Sequence, residues 1–167
     1  MFLAHEIPVT TESRFLSNGE AGIFETVQMM RQLTDAGKKS PVIRQAALGV
    51  IFMTPAQADC AEVIALFEFI RDNIRYTKDI NGIETLATPE KTLAMRVGDC
   101  DDLSVLLASL LESVGYPTRF IIESYDGAGW SHVYLAAYCE DVWITLDPTE
   151  QVAAGWQPPD AVARWIE

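Results

Sequence analysis

An α+β fold follows from the order in which two kinds of hydrophobic periodicity appear along the chain. Between residues 20 and 114 apolar side chains recur three and four apart, as on helices. From residue 118 to 147 short runs rich in β-branched and aromatic residues alternate with turn signals. Helices first and strands afterwards predict a helical half packed on an antiparallel sheet. At 167 residues and 49% hydrophobic content, one domain suffices to bury a sizeable core.

The elements follow in order. Residues 1–18 hold Pro8, several Ser and Thr residues and His5 without a sustained period, and are expected to form an irregular arm with His5 solvated. Residues 19–97 are expected to be mainly helical. Ile23, Phe24, Val27, Met30 and Leu33 draw an apolar stripe on a helix over 20–36, stopped by Gly37. Ser40-Pro41 starts a second helix over 42–52, and Thr54-Pro55 a third that runs to about Asn73. Met53 and Cys60 are expected in the core. Ile74 to Thr77 reads as extended, Lys78 to Glu84 as a loop, and Thr88-Pro89-Glu90 as the start of a short helix through about Arg96.

Residues 98–150 form the chemical core of the chain. Asp99 is a good N-cap, Leu103, Leu106, Leu107, Leu110, Leu111 and Val114 recur at helical spacing, and Gly115 supplies the stop. Strands follow at 118–125, 131–138 and 142–146, with Trp143 expected to face the core. The tail, 151–167, contains Pro158-Pro159 and then a short expected helix over 161–166, with Trp165 against the body. No internal repeat or low-complexity segment interrupts this order.

Twelve basic and 24 acidic residues give a net charge of −12. Such a field repels phosphate backbones and anionic lipids, which excludes nucleic acid and membrane surfaces as partners and favours a neutral or basic peptide or protein. The longest apolar run, 46–53, is too short to span a bilayer, and residues 1–10 lack the regions of a signal peptide; a soluble, cytoplasmic protein is expected. Three widely spaced cysteines, Cys60, Cys100 and Cys139, predict reduced thiols rather than a disulfide framework, with Cys139 inert. There is neither a CxxC pair nor a Gly-rich phosphate loop, so no cofactor is expected.

Cys100 falls in the first turn of its helix. Unpaired N–H groups and the positive end of the helix dipole stabilise a thiolate there, and thiols so placed titrate at about 3.5–7.5. A lone cysteine is otherwise a small buried filler. Two other residues bear on the choice: His132 near the start of one strand, and Asp147 at the end of the next. Antiparallel pairing brings such positions together, so a carboxylate can orient the imidazole.

Gly98-Asp99-Cys100 opening a Leu/Ala-rich helix, Gly115-Tyr116-Pro117-Thr118-Arg119, Ser131-His132-Val133-Tyr134 and Trp143-Ile144-Thr145-Leu146-Asp147-Pro148-Thr149 together resemble the transglutaminase-like superfamily. The resemblance spans about residues 70–150, and Tyr76 and Thr88-Pro89 are similar to bacterial and phage-encoded members. It implies a papain-like fold and acyl chemistry at a carboxamide or related group, with Cys100 as nucleophile, His132 as general base and acid, and Asp147 holding the His tautomer. Water as acceptor gives a protease or amidase acting on peptide or isopeptide-like amides. An amine gives a transglutaminase, and a lapsed site gives a protein-binding module.

Three further expectations concern the surroundings of Cys100. Asp99, Asp101 and Asp102 oppose a thiolate unless Asp99 caps the helix, Asp101 faces solvent and Asp102 pairs with Arg96 or Arg119. The Cys100 N–H supplies one oxyanion donor, Tyr76 is the candidate for a second, and Trp130 beside Gly129 is a candidate groove wall. A zinc site built from Cys100, His132 and Asp147 is the chemical rival, although no short-range ligand pair supports it.

Overall fold

The computed structural model describes residues 19–55, 59–78 and 85–167. Five helices come first: α1 (Glu20–Gly37), α2 (Pro41–Ile51), α3 (Asp59–Asn73), α4 (Pro89–Met95) and α5 (Cys100–Ser113). Two-residue strands β1 (Arg75–Tyr76) and β2 (Val97–Gly98) flank α4, and β3 (Thr118–Ser124), β4 (His132–Cys139), β5 (Val142–Leu146) and β6 (Ala163–Ile166) complete the chain. The α+β order expected from the sequence is the order observed. The expected arm at 1–18, the Asn81-Gly82 loop and the first residues after Thr54-Pro55 lie outside the described residues.

Helix α5 is the axis of the core. Leu103, Val105, Leu106, Leu107, Ala108, Leu110 and Leu111 have no exposed surface, because α1, α2, α3 and α4 surround one side and β3 and β4 the other. Each buried Leu contributes about 1.5–3 kcal/mol relative to exposure. This explains why the segment is apolar almost all round instead of showing one stripe.

The main sheet runs β5-β4-β3-β6 and is antiparallel throughout. Phe120, Ile122, Val133, Leu135, Ala137 and Leu146 join the helices in one core. Ile121, Tyr134 and Ala136 form a smaller cluster, which the two-residue alternation of a strand assigns to the opposite face.

Four expectations are corrected. The tail ends in a strand, not a helix: β6 pairs with β3 in the register Ile121↔Ile166 through Ser124↔Ala163. A segment so short does not nucleate a helix alone, whereas the free edge of β3 offers it ladder hydrogen bonds. Trp165 still packs on the body, 5.9 Å from the Phe24 ring of α1. Trp143 is 39% exposed, with the Arg119 guanidinium over its ring at 4.3 Å, and Met53 is 84% exposed beyond the end of α2.

The fourth correction concerns the thiols, for Cys60 and Cys139 are bonded as a disulfide with Cα atoms 5.6 Å apart. The bridge ties α3 to the end of β4, two elements 79 residues apart whose proximity no local spacing reveals. Cys100 is the free cysteine. By loop-closure entropy a bridge of this span is worth about 4 kcal/mol. Cys139→Ser, or gentle reduction of the wild type, should therefore lower the thermal midpoint by several degrees, monitored by circular dichroism; an unchanged midpoint would show that the bridge carries no stability.

Candidate active site

The approach to Cys100 is built by two short strands. After α4, Arg96 adopts a left-handed conformation (φ 55°) that ends the helix and turns the chain back. β2 then pairs in parallel with β1: Arg75 N–H donates to the Arg96 carbonyl at 2.9 Å and Thr77 N–H to the Gly98 carbonyl at 2.8 Å. Tyr76 is the register partner of Gly98, which brings it beside the cysteine turn. A Cβ on Gly98 would lie 2.7 Å from the Asp102 Cβ, so the turn closes only around glycine.

Asp99 is the N-cap of α5, its carboxylate accepting the Asp102 N–H at 3.0 Å. Asp102 is buried and accepts the Ala87 N–H at 2.7 Å, a main-chain donor. One turn further on, the buried Ser104 hydroxyl donates to the Val133 carbonyl at 3.3 Å. The Val133 main chain also hydrogen-bonds the Cys100 thiol, with sulfur as the acceptor. Through Val133, the first turn of α5 is registered against the residue that follows His132.

His132 Nε2 lies 2.7 Å from Asp147 Oδ2, with 13% of the His side chain and none of the Asp side chain exposed. The other oxygen of Asp147 accepts the Thr149 N–H at 3.1 Å and the Thr149 hydroxyl at 2.7 Å. This Asx turn, with Pro148 stiffening it, supplies the donors that a buried carboxylate requires. With the Asp147 oxygen as acceptor, the imidazole donates through Nε2, and Nδ1 is left for other chemistry.

Cys100, His132, Tyr76 and Trp130 all line one cavity of about 930 Å³. Its other walls are the first three turns of α1, the strand residues Ile122 and Ser124, and the small-residue loop 127–129. Asp147 stands behind His132, out of the lining. Among the described residues no group of three or more His, Cys, Asp and Glu side chains is placed to hold a metal.

The dipole argument for a low thiol pKa does not prevail. Burial pushes the Cys100 thiol well up, the Asp101 and Asp99 charges add to it, and the main-chain bond at Val133 opposes them only in part. Asp101 does not turn to solvent away from the sulfur, since Cys100 Sγ donates to its Oδ1 at 3.7 Å. The phenol of Tyr76 is likewise raised, by burial first and then by Cys100 and the aspartates.

Sequence reasoning missed Glu123, Tyr125, Tyr134, Thr149 and Arg164 around His132. Tyr134 and Thr149 stood within the quoted motifs without a role, and the signal for Glu123 was a glutamate inside the apolar strand 118–125.

A family model described as the transglutaminase-like superfamily matches residues 47–148. The chain belongs to the transglutaminase-like superfamily. Among solved structures, a proposed cysteine protease from Cytophaga hutchinsonii is similar at 20% identity and TM-score 0.54, over 75% of this chain and 45% of that one. A proposed protease from Parabacteroides distasonis is similar at 12% identity and TM-score 0.58, over 88% and 32%. LapG of Legionella pneumophila is similar at 18% identity and TM-score 0.54, over 79% and 80%. The chain spans less than half the length of the first two, and likeness at these identities speaks for the fold. No curated protein matches the chain. No helix among the described residues is long and apolar enough to cross a membrane.

Because Asp101 disfavours the thiolate, Asp101→Asn should move the pH midpoint of Cys100 alkylation downward and speed iodoacetamide labelling at neutral pH several-fold. Rate against pH for the two proteins checks this. A midpoint that stays or rises contradicts the electrostatic account.

Proposed function

We propose that this superfamily member is a cysteine hydrolase of peptide or isopeptide-like amides. The reading is carried by the 2.7 Å His132–Asp147 contact, with Cys100 on the same cavity and registered to it through Val133. A raised thiol pKa means that the resting site holds a neutral Cys100, so the thiol proton moves as substrate engages.

His132 Nδ1 takes the Sγ proton while sulfur bonds to the carbonyl carbon and the C=O pair moves onto oxygen. Asp147 stabilises the imidazolium through Nε2. The developing oxyanion is received by the Cys100 N–H, unpaired in the first turn of α5, and by the Tyr76 hydroxyl. Collapse breaks the C–N bond, and Nδ1 returns its proton to the leaving amine. Water then attacks the thioester with the same nitrogen as base, releasing the carboxylic acid and regenerating the thiol. Trp130 forms a wall of the groove in which the substrate chain lies.

Water is the favoured acceptor because a transferase must exclude water from its acyl-enzyme, and the described walls of the cavity do not enclose it fully. The acidic surface suits a neutral or basic peptide or protein. The Cys60–Cys139 bridge favours an oxidising compartment over the reducing cytoplasm. The raised thiol is the one observation that favours a second reading, a protein-binding module with a lapsed site.

Intact mass spectrometry of wild type and Cys100→Ala, exposed to a peptide panel with and without an amine donor, separates these readings. A Cys100-dependent acyl adduct resolving to cleaved peptide is expected, with Asp147→Ala, which removes the acceptor of the Nε2 proton, slowing turnover by roughly 10²–10⁴-fold. Amine-coupled product would make the protein a transglutaminase, and saturable binding without turnover would make it a binding module.

A further inference from the structure

Glu123 is fully buried and takes no part in the chemistry above. In the sheet register it stands opposite His132 on β4 and opposite Arg164 on β6. The row His132–Glu123–Arg164 therefore crosses three adjacent strands on one face. Its Oε1 accepts the Tyr134 hydroxyl at 2.6 Å and Arg164 Nε at 2.6 Å, and its Oε2 the Tyr125 hydroxyl at 3.4 Å.

The two tyrosines flank the imidazole. Ring centroids of Tyr134 and His132 are 5.8 Å apart at 26° between planes, and those of Tyr125 and His132 are 6.4 Å apart at 29°. Both phenols stay protonated, and so remain donors: burial and Glu123 raise them, Tyr125 to about 12 and Tyr134 further. Asp147 grips only the Nε2 end of the ring, which leaves rotation about that hydrogen bond to be checked by something else. Two aromatic faces anchored on one carboxylate supply that check.

We propose that Glu123 is the positioning residue of His132, holding the imidazole between Tyr125 and Tyr134 and, balanced by Arg164, setting the pH range over which it takes a proton. This rests on the reading of His132 as the acid–base group and deepens it. The charged and titratable groups around His132 are Asp147 after β5, Glu123 and Tyr125 on and after β3, Tyr134 on β4, and Arg164 on β6. Across the cavity are Cys100, Asp101 and Asp99 of the α5 turn, Tyr76 and Lys78 at and after β1, and Glu20 of α1.

Within this set Glu123 and Arg164 cancel, so removing either leaves the other acting alone on the imidazolium. Glu123→Gln leaves a cation and should lower the His132 titration midpoint by about one pH unit; Arg164→Gln leaves an anion and should raise it by a similar amount. Arg164→Lys keeps the charge and should restore the wild-type midpoint. NMR titration of the imidazole reads this directly, with His5→Ala assigning the two histidines. Iodoacetamide labelling of Cys100 should slow roughly tenfold in folded Glu123→Gln, as expected for a misplaced general base.

A brace for the fold alone predicts a lower melting temperature with the His132 midpoint unmoved, and that result in either folded variant overturns the proposal. Should Glu123→Gln not fold, Arg164→Gln decides the matter, because Arg164 is 35% exposed and its loss is the milder change. The midpoint is read without using the thiol. Wild-type Cys100 that alkylates independently of His132 would count against the hydrolase reading, while opposite shifts in the two variants would still support Glu123 as the group that holds the imidazole.

Discussion

The hydrogen bond from the buried Ser104 hydroxyl to the Val133 carbonyl fixes how far the first turn of α5 reaches along β4. Cys100 lies one turn before Ser104, and His132 one residue before Val133. A slip of a single residue in this contact would carry the thiol away from the imidazole, because successive strand residues point to opposite faces. The rest of the fold protects this seating. Helices α1 to α4 bury α5 along its length, the β1–β2 pair braces the turn that delivers Cys100, and β3 and β5 hold β4 from both sides.

Much of this was legible because it is written in short-range patterns. The Asp99 cap, the apolar run after it, the Gly115 stop and the three alternating strands each depend on residues within one or two turns of one another, and the structure places them within a residue or two of the expected bounds. The pairing of His132 with Asp147 was accessible for the same reason, since adjacent strands joined by a short turn leave little freedom in register. What was not legible depends on contacts between distant segments. β6 becomes a strand because the edge of β3 is open, and Arg164 reaches Glu123 only through that pairing. The turn of Asp101 toward the sulfur, rather than toward solvent, places it on the wall of the cavity, which helical spacing does not specify.

The thiol illustrates competition between effects of opposite sign. A helix N-terminus stabilises a thiolate by its dipole, but that stabilisation falls off within a turn and is modest beside the cost of removing a charge from water. Cys100 is half-buried, with one carboxylate accepting from its sulfur and another capping the same turn. A thiol kept protonated at rest is less exposed to oxidation, because susceptibility follows thiolate character and accessibility. In the proposed hydrolase the same environment would place the burden of activation on His132, the ring that Asp147 contacts and Tyr125 and Tyr134 flank.

The bridge between Cys60 and Cys139 divides the three sulfurs of the chain in a way that bears on oxidative damage. With two of them already joined, Cys100 has no second thiol of its own fold with which to close an internal disulfide. Oxidation of Cys100 to a sulfenic acid would then form a disulfide with a thiol from another molecule rather than within this fold. Opening the bridge would remove that isolation as well as a crosslink, since two additional thiols could then compete for exchange with Cys100.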